Sequence, residues 1–163
     1  MKIENFMTGI PSDPNLKSII LDPQDNIKNK RHVRRLLKDI AESSLNNLKE
    51  NLKIAYHEDA ELKGFHPVNE INGIDEIHKK LWKPLLHSFP DLERRDNLII
   101  GGNFQNKIFV STIGHLTGTF KHPWFDVPAS NKTIHLRICE VHQLKNNKII
   151  QSHTLIDMMD FVR

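Results

Sequence analysis

Residues 133–161, TIHLRICEVHQLKNNKIIQSHTLIDMMDF, read as two long strands joined at Asn146-Asn147. Side chains alternate sides along a strand, so Ile134, Leu136, Ile138, Glu140, His142 and Leu144 share one face of the first. Ile149, Gln151, His153, Leu155, Asp157 and Met159 share a face of the second in the same way. A two-residue turn, with asparagine tolerating positive φ, pairs Lys145 with Lys148. In that register Glu140 is expected opposite His153, His142 opposite Gln151 and Leu136 opposite Asp157. Two mostly apolar faces then coincide, carrying Glu140, His142, His153 and Asp157 together.

Working back from the hairpin, the pattern predicts strands near Asn97 to Ile100 and Lys107 to Phe120, turned at Gly101-Gly102 and Asn106, with a long Pro-containing connection from His122 to Lys132. Before these, Ile74, Ile77, Leu81, Leu85 and Phe89 make a helical stripe opened at Asn72 or Gly73, and Pro84 should kink or end it near Lys83. Residues 60–67, AELKGFHP, are expected to form a short strand closed by Pro67. From Ile27 to about Leu52, Val33, Leu36, Leu37, Ile40, Ala41, Leu45, Leu48 and Leu52 recur at three and four residues, with a possible break at Asn46-Asn47. Residues 1–26, with Pro11, Pro14 and Pro23, are expected to be an arm outside the domain of residues 27–163. Helices followed by a run of strands indicate an α+β domain, its N-terminal helices packed on a curved antiparallel sheet around a cone-shaped interior.

A chain of 163 residues is one domain by length, and a net charge of +3 does not call for nucleic acid. The mostly basic helix face of Lys28, Arg31, Arg35, Lys38 and Glu42 has no interleaved aromatic or Gly-rich partner and reads as solvated. A single cysteine, Cys139, excludes an internal disulfide framework and fits a reducing, cytoplasmic setting. The sequence shows no signal peptide and no stretch long enough to span a bilayer, so no membrane partner is expected. Ten histidines raise the question of a metal, but none has the helical spacing of a zinc site, and no metal is expected.

Several segments, taken in order, resemble the SnoaL-like polyketide cyclases, or ester cyclases, of the nuclear transport factor 2-like (cystatin-like) fold. They are Asn72-Gly73-Ile74-Asp75, Phe89-Pro90-Asp91-Leu92, the Gly114 to Phe120 strand, Glu140-Val141-His142, Asn147-Lys148-Ile149 and Gln151-x-His153-x-x-x-Asp157. The chain departs from the family pattern at Asp126 to Lys132, and it has His153 where tryptophan is common. The resemblance implies a cofactor-independent acid/base enzyme acting on a hydrophobic carbonyl-containing small molecule, by an intramolecular aldol step. It also implies a homodimer. It gives Asp157 the acid/base role and has His142 bind and polarise the substrate.

The residues themselves offer a second unit. In the flat register Asp157 is about 20 Å from His142 along the strand, at roughly 3.3 Å per residue, whereas Glu140 and His153 are cross-strand neighbours. His66, Trp82, His115 and Gln151 are expected to reach the same interior, and Trp124 and Phe125 to cover it. An outer sheet face containing Val110 and Leu116 is expected to serve a homodimer. The alternative to an enzyme is a non-catalytic small-ligand-binding or dimeric scaffold module, since the fold decides neither.

Overall fold

The structure is a computed structural model and describes residues 23–162; the expected arm, up to residue 22, lies outside the described residues. Helix α1 (Pro23–Ala41) starts four residues before the expected boundary, with Asp25 in the first turn, where carboxylates favour the exposed amides. Val33, Leu36, Leu37, Ile40 and Ala41 form its buried stripe. The chain leaves the helix after Ala41, turns through residues 42–47 and enters α2 (Leu48–Ala55), so the break expected at Asn46-Asn47 is present.

Strand β1 (Tyr56–Lys63) begins well before the predicted strand and stops before Gly64, and it pairs with a short β2 (Glu70–Asn72) that the sequence did not signal. A helical segment follows as α3 (Ile74–Ile77), a π-helical turn (His78–Trp82) and α4 (Lys83–Ser88), the change of helix type falling where Pro84 was expected to act. The remaining strands are β3 (Glu93–Phe104), β4 (Lys107–Thr119), β5 (Thr133–Lys145) and β6 (Lys148–Ile156), before a terminal α5 (Met158–Phe161).

Helices therefore pack on a curved six-stranded sheet, as the sequence indicated. Strand order is β2-β1-β6-β5-β4-β3. The sheet is mixed rather than wholly antiparallel, because β1 runs parallel to β6. The Asn146-Asn147 turn is as expected, with both residues at positive φ and Lys145 opposite Lys148.

Two bulges decide which side chains face inward. In β6 the register shifts after Ile149: Leu144 pairs with Ile149, but Gln143 pairs with Gln151, leaving Ile150 as the extra residue. A one-residue slip exchanges the two faces of a strand. The expected pairing of Glu140 with His153, His142 with Gln151 and Leu136 with Asp157 is thereby corrected: Glu140 opposes Thr154, His142 opposes Ser152, and β6 ends before Asp157. In β3 Asn97 is the extra residue, so that Arg94 points inward while Leu98 and Ile100 point out. Strand β4 carries no bulge, and its inward positions include Val110 and Leu116, both buried. The outer-face role expected for these two residues is corrected with them.

The wide connection after β4 folds Trp124 back into the cone. Its ring lies 5.3 Å from Phe161, 5.9 Å from Phe89 and 6.1 Å from Phe65, and Phe89 stacks on Phe120 at 5.1 Å. These rings close that end of the core by apolar contact.

Candidate functional site

Inward positions of β3, β4, β5 and β6 bring together Arg94, Asp96, Thr112, Glu140, His142, Ser152 and Thr154, beside Tyr56 of β1. Arg94 donates through Nη2 to Glu140 Oε2 at 2.6 Å and to Thr112 Oγ1 at 2.8 Å, and through Nε to Asp96 Oδ1 at 2.9 Å. Thr112 and Thr154 donate to Glu140 Oε2 and Oε1, each at 3.3 Å. His142 Nδ1 shares a 2.8 Å hydrogen bond with Ser152 Oγ, and that hydroxyl donates to Tyr56 OH at 3.4 Å. His142 Nε2 lies 3.8 Å from Glu140 Oε2, beyond hydrogen-bond distance. Among the described residues it has no hydrogen-bond partner, and neither has Arg94 Nη1. Buried polar groups are normally satisfied, so two such atoms beside one carboxylate set this cluster apart from an ordinary closed core.

Charge sets the state of the cluster. Burial alone would raise the Glu140 pKa, but the Arg94 guanidinium leads the groups that outweigh it and hold the carboxyl well below the usual range. Burial likewise works against a charged Arg94, and Glu140 and Asp96 more than compensate. Tyr56 is pushed up, first by burial and then by the Glu140 charge, so its hydroxyl stays neutral. An anchored, ionised Glu140 is a poor base but a strong partner for any cation formed beside it.

The other residues singled out in the sequence lie elsewhere. His153 is exposed on the outer face opposite Val141, a direct effect of the Ile150 bulge. Gln151 is on the same side and donates to the Glu61 carboxylate. Asp157 follows β6 as the N-cap of α5: its carboxylate accepts from Asp160 N at 3.0 Å and pairs with Arg137 Nη2 at 2.7 Å. Arg137 is an outward residue of β5, 60% exposed, so Asp157 is at the outer side of the sheet. His115 also faces out, hydrogen-bonded to Asn97 at 3.2 Å. His66 is exposed in the loop after β1, off any strand, because β1 ends at Lys63. Trp82 is buried with Nε1 unpartnered, and Trp124 belongs to the aromatic closure. Only Glu140 and His142 of the expected set are in the polar cluster.

Tyr56, Arg94, Asp96, Thr112, Ser152 and Thr154 escaped the sequence reading. One signal was available: counting in twos from buried Leu92 puts Arg94 and Asp96 at inward positions, an arrangement that makes sense only with a complementary charge such as Glu140 across the sheet.

A family model described as SnoaL-like polyketide cyclase matches residues 31–163. No curated protein matches the chain. Among solved structures, the chain is similar to a protein assigned as a SnoaL-like polyketide cyclase from Jannaschia sp. CCS1, at 17% identity over 82% of this chain and 88% of that one, with a TM-score of 0.69. It is similar to IdmH, assigned as a polyketide cyclase from Streptomyces antibioticus, at 14% identity over 82% and 94% of the two chains and a TM-score of 0.65. AclR, assigned as a hydroxylase from Streptomyces galilaeus, gives 15% identity, 83% and 79% coverage and a TM-score of 0.63. At such identities the likeness is one of fold, and fold alone does not fix the reaction.

Proposed function

The chain belongs to the SnoaL-like polyketide cyclase family, and from that premise we propose that it catalyses proton transfer on a hydrophobic carbonyl-containing small molecule, as an intramolecular aldol cyclase using its own side chains. The observation that carries this reading is His142: fully buried, held at Nδ1 by Ser152, with Nε2 unpartnered beside an ionised Glu140. With the Ser152 hydroxyl donating to Tyr56, its oxygen accepts from His142 Nδ1–H, which leaves the lone pair of the neutral ring on Nε2. His142 takes a proton from the carbon beside a carbonyl, and Glu140 stabilises the imidazolium formed. Arg94 Nη1 supplies a donor to the enolate oxygen. The enolate carbon attacks a second carbonyl of the same molecule, one C–C bond forms, and His142 returns its proton to the new alkoxide. Asp157 has no part in this scheme, because its carboxylate is engaged by Arg137 and by the α5 cap.

Enclosure of the cluster favours a second reading. Glu140, His142, Ser152 and Thr112 are all at most 3% exposed, so substrate reaches them only if covering side chains move. A cluster that stays closed is the polar core of a ligand-binding or scaffold module instead. Deuterium exchange of the α-protons of hydrophobic 1,3-dicarbonyl compounds, followed by NMR in D2O, separates the two. Exchange by the native chain that vanishes in His142→Gln with the fold retained supports the enzyme; absence of exchange from the native chain supports the module, and exchange that survives His142→Gln removes His142 from the chemistry.

The outer sheet face supports a homodimer, though through other residues than those expected. Leu98, Ile113, Cys139 and Leu155 stand in register across β3 to β6, a row about 14 Å long at ~4.8 Å per strand. Leu98 and Leu155 are 48% and 62% exposed, and Ile100 and Val141 extend the patch along the strands. A half-buried Cys139, with no second cysteine in the chain, fits a reducing cytoplasmic setting. Among the described residues no helix is long and apolar enough to cross a membrane.

A further inference from the structure

We infer that the cleft between α1 and the β5–β6 turn binds a small phosphate- or pyrophosphate-bearing molecule. This cleft, about 340 Å3, is lined by Lys28, Asn29, Arg31, His32, Arg35 and Asn147. Lys28, Arg31 and Arg35 are spaced i, i+3, i+7 and so form one stripe on α1. The wall opposite is fixed to the helix by His32 Nε2, bonded to the Asn147 carbonyl at 2.7 Å, and Asn147 holds its turn at φ 61°.

The contrast with a second cleft makes the charge significant. That cleft, of about 670 Å3, is lined by Lys49, Lys53 and Lys148 but also by Glu58, Asp75 and Glu76, and Lys49 pairs with Asp75 at 2.7 Å. Its three cations are matched in number by three carboxylates. In the α1 cleft no lining residue is acidic, and none of Lys28, Arg31 and Arg35 forms an ion pair with a described carboxylate. Arg31 and Arg35, four residues apart, repel one another in the free protein. A dianion removes that repulsion and accepts from two planar guanidinium forks, the geometry that phosphoryl oxygens match.

Size favours a small ligand over a nucleic acid. From Lys28 to Arg35 the helix rises about 10 Å, at ~1.5 Å per residue, enough for one or two phosphoryl groups. No Phe, Tyr or Trp lines the cleft to stack a base, and the one imidazole there, His32, is tied to the Asn147 carbonyl. The site is separate from the interior cluster and does not depend on its chemistry.

Titration of the full chain with inorganic pyrophosphate and with ADP, followed by amide NMR shifts, tests the assignment. The expected result is saturable shifts at residues 28–35 and 146–148, weakened about tenfold or more by Arg31→Glu/Arg35→Glu at an unchanged thermal midpoint, and unaffected by Lys49→Gln. Tighter binding of pyrophosphate than of orthophosphate also supports it. Absence of saturation at millimolar ligand, binding that the double substitution leaves intact, or tighter binding of single-stranded RNA than of ADP overturns it.

Discussion

The two faces of the β5–β6 hairpin carry similar residue types in opposite circumstances. Inside, Glu140 pairs with Arg94 where both side chains are at most 4% exposed, and hydroxyls of Thr112 and Thr154 supply further bonds. Outside, Asp157 pairs with Arg137 in contact with water. Two carboxylate–arginine pairs of nearly equal length therefore do different things. The enclosed pair is costly to break and unscreened, and it fixes the charge felt by His142; the solvated pair contributes little and ties down a short helix.

The sharpest way to test this contrast is to remove one partner from inside. Arg94→Met leaves the buried Glu140 and Asp96 carboxylates unpaired and is expected to cost about 3–5 kcal/mol in urea denaturation, while Arg94→Met/Asp96→Asn/Glu140→Leu recovers much of the loss. A triple substitution as unstable as the single one would mean that the interior tolerates no uncharged replacement. Next comes pH. Folding lowers the Glu140 pKa, so its contribution is complete above the unfolded value of about 4.3 and is lost as the pH falls below it. Tyr56 is shifted the other way: its contribution is present below about pH 10 and lost above. Urea midpoints measured from pH 3 to 11 should fall at both ends, the alkaline fall being reduced in Tyr56→Phe.

The outer pair is expected to yield less. Asp157→Ala removes the α5 cap and should cost about 1 kcal/mol, with α-proton exchange retained. Loss of exchange in that variant would move the chemistry to the outer side and break the comparison. The smallest change in monomer stability, within about 0.5 kcal/mol, is expected for Leu155→Asp, which should nonetheless convert a dimer to a monomer by light scattering.

Much of the architecture was readable because burial imposes a period. The α1 stripe, the turn at Asn146-Asn147 and the change of helix type before Pro84 each follow from local chemistry that tertiary packing did not override. The site was only half readable. Strand β5 carries no extra residue, so Glu140 and His142 were placed correctly on the inner face, whereas everything in β6 beyond Ile149 was assigned to the opposite side. Nothing in Ile149-Ile150-Gln151 announces a bulge, since both isoleucines suit a strand and no glycine marks the place. Arg94 was hidden for the same reason: in the run Glu93-Arg94-Arg95-Asp96 charge suggests solvent, and only the distant Glu140 explains why two of the four are buried.

Ile150 works like a frameshift in a coding sequence, since everything downstream is read in the other phase. Counting in twos along this strand from the Asn146-Asn147 turn hands His153 the duties of Ser152 and miscasts a surface residue as part of the interior. Homology transfer for this chain should therefore be anchored on β5, whose phase is uninterrupted, and carried to the neighbouring strand by pairing across the ladder.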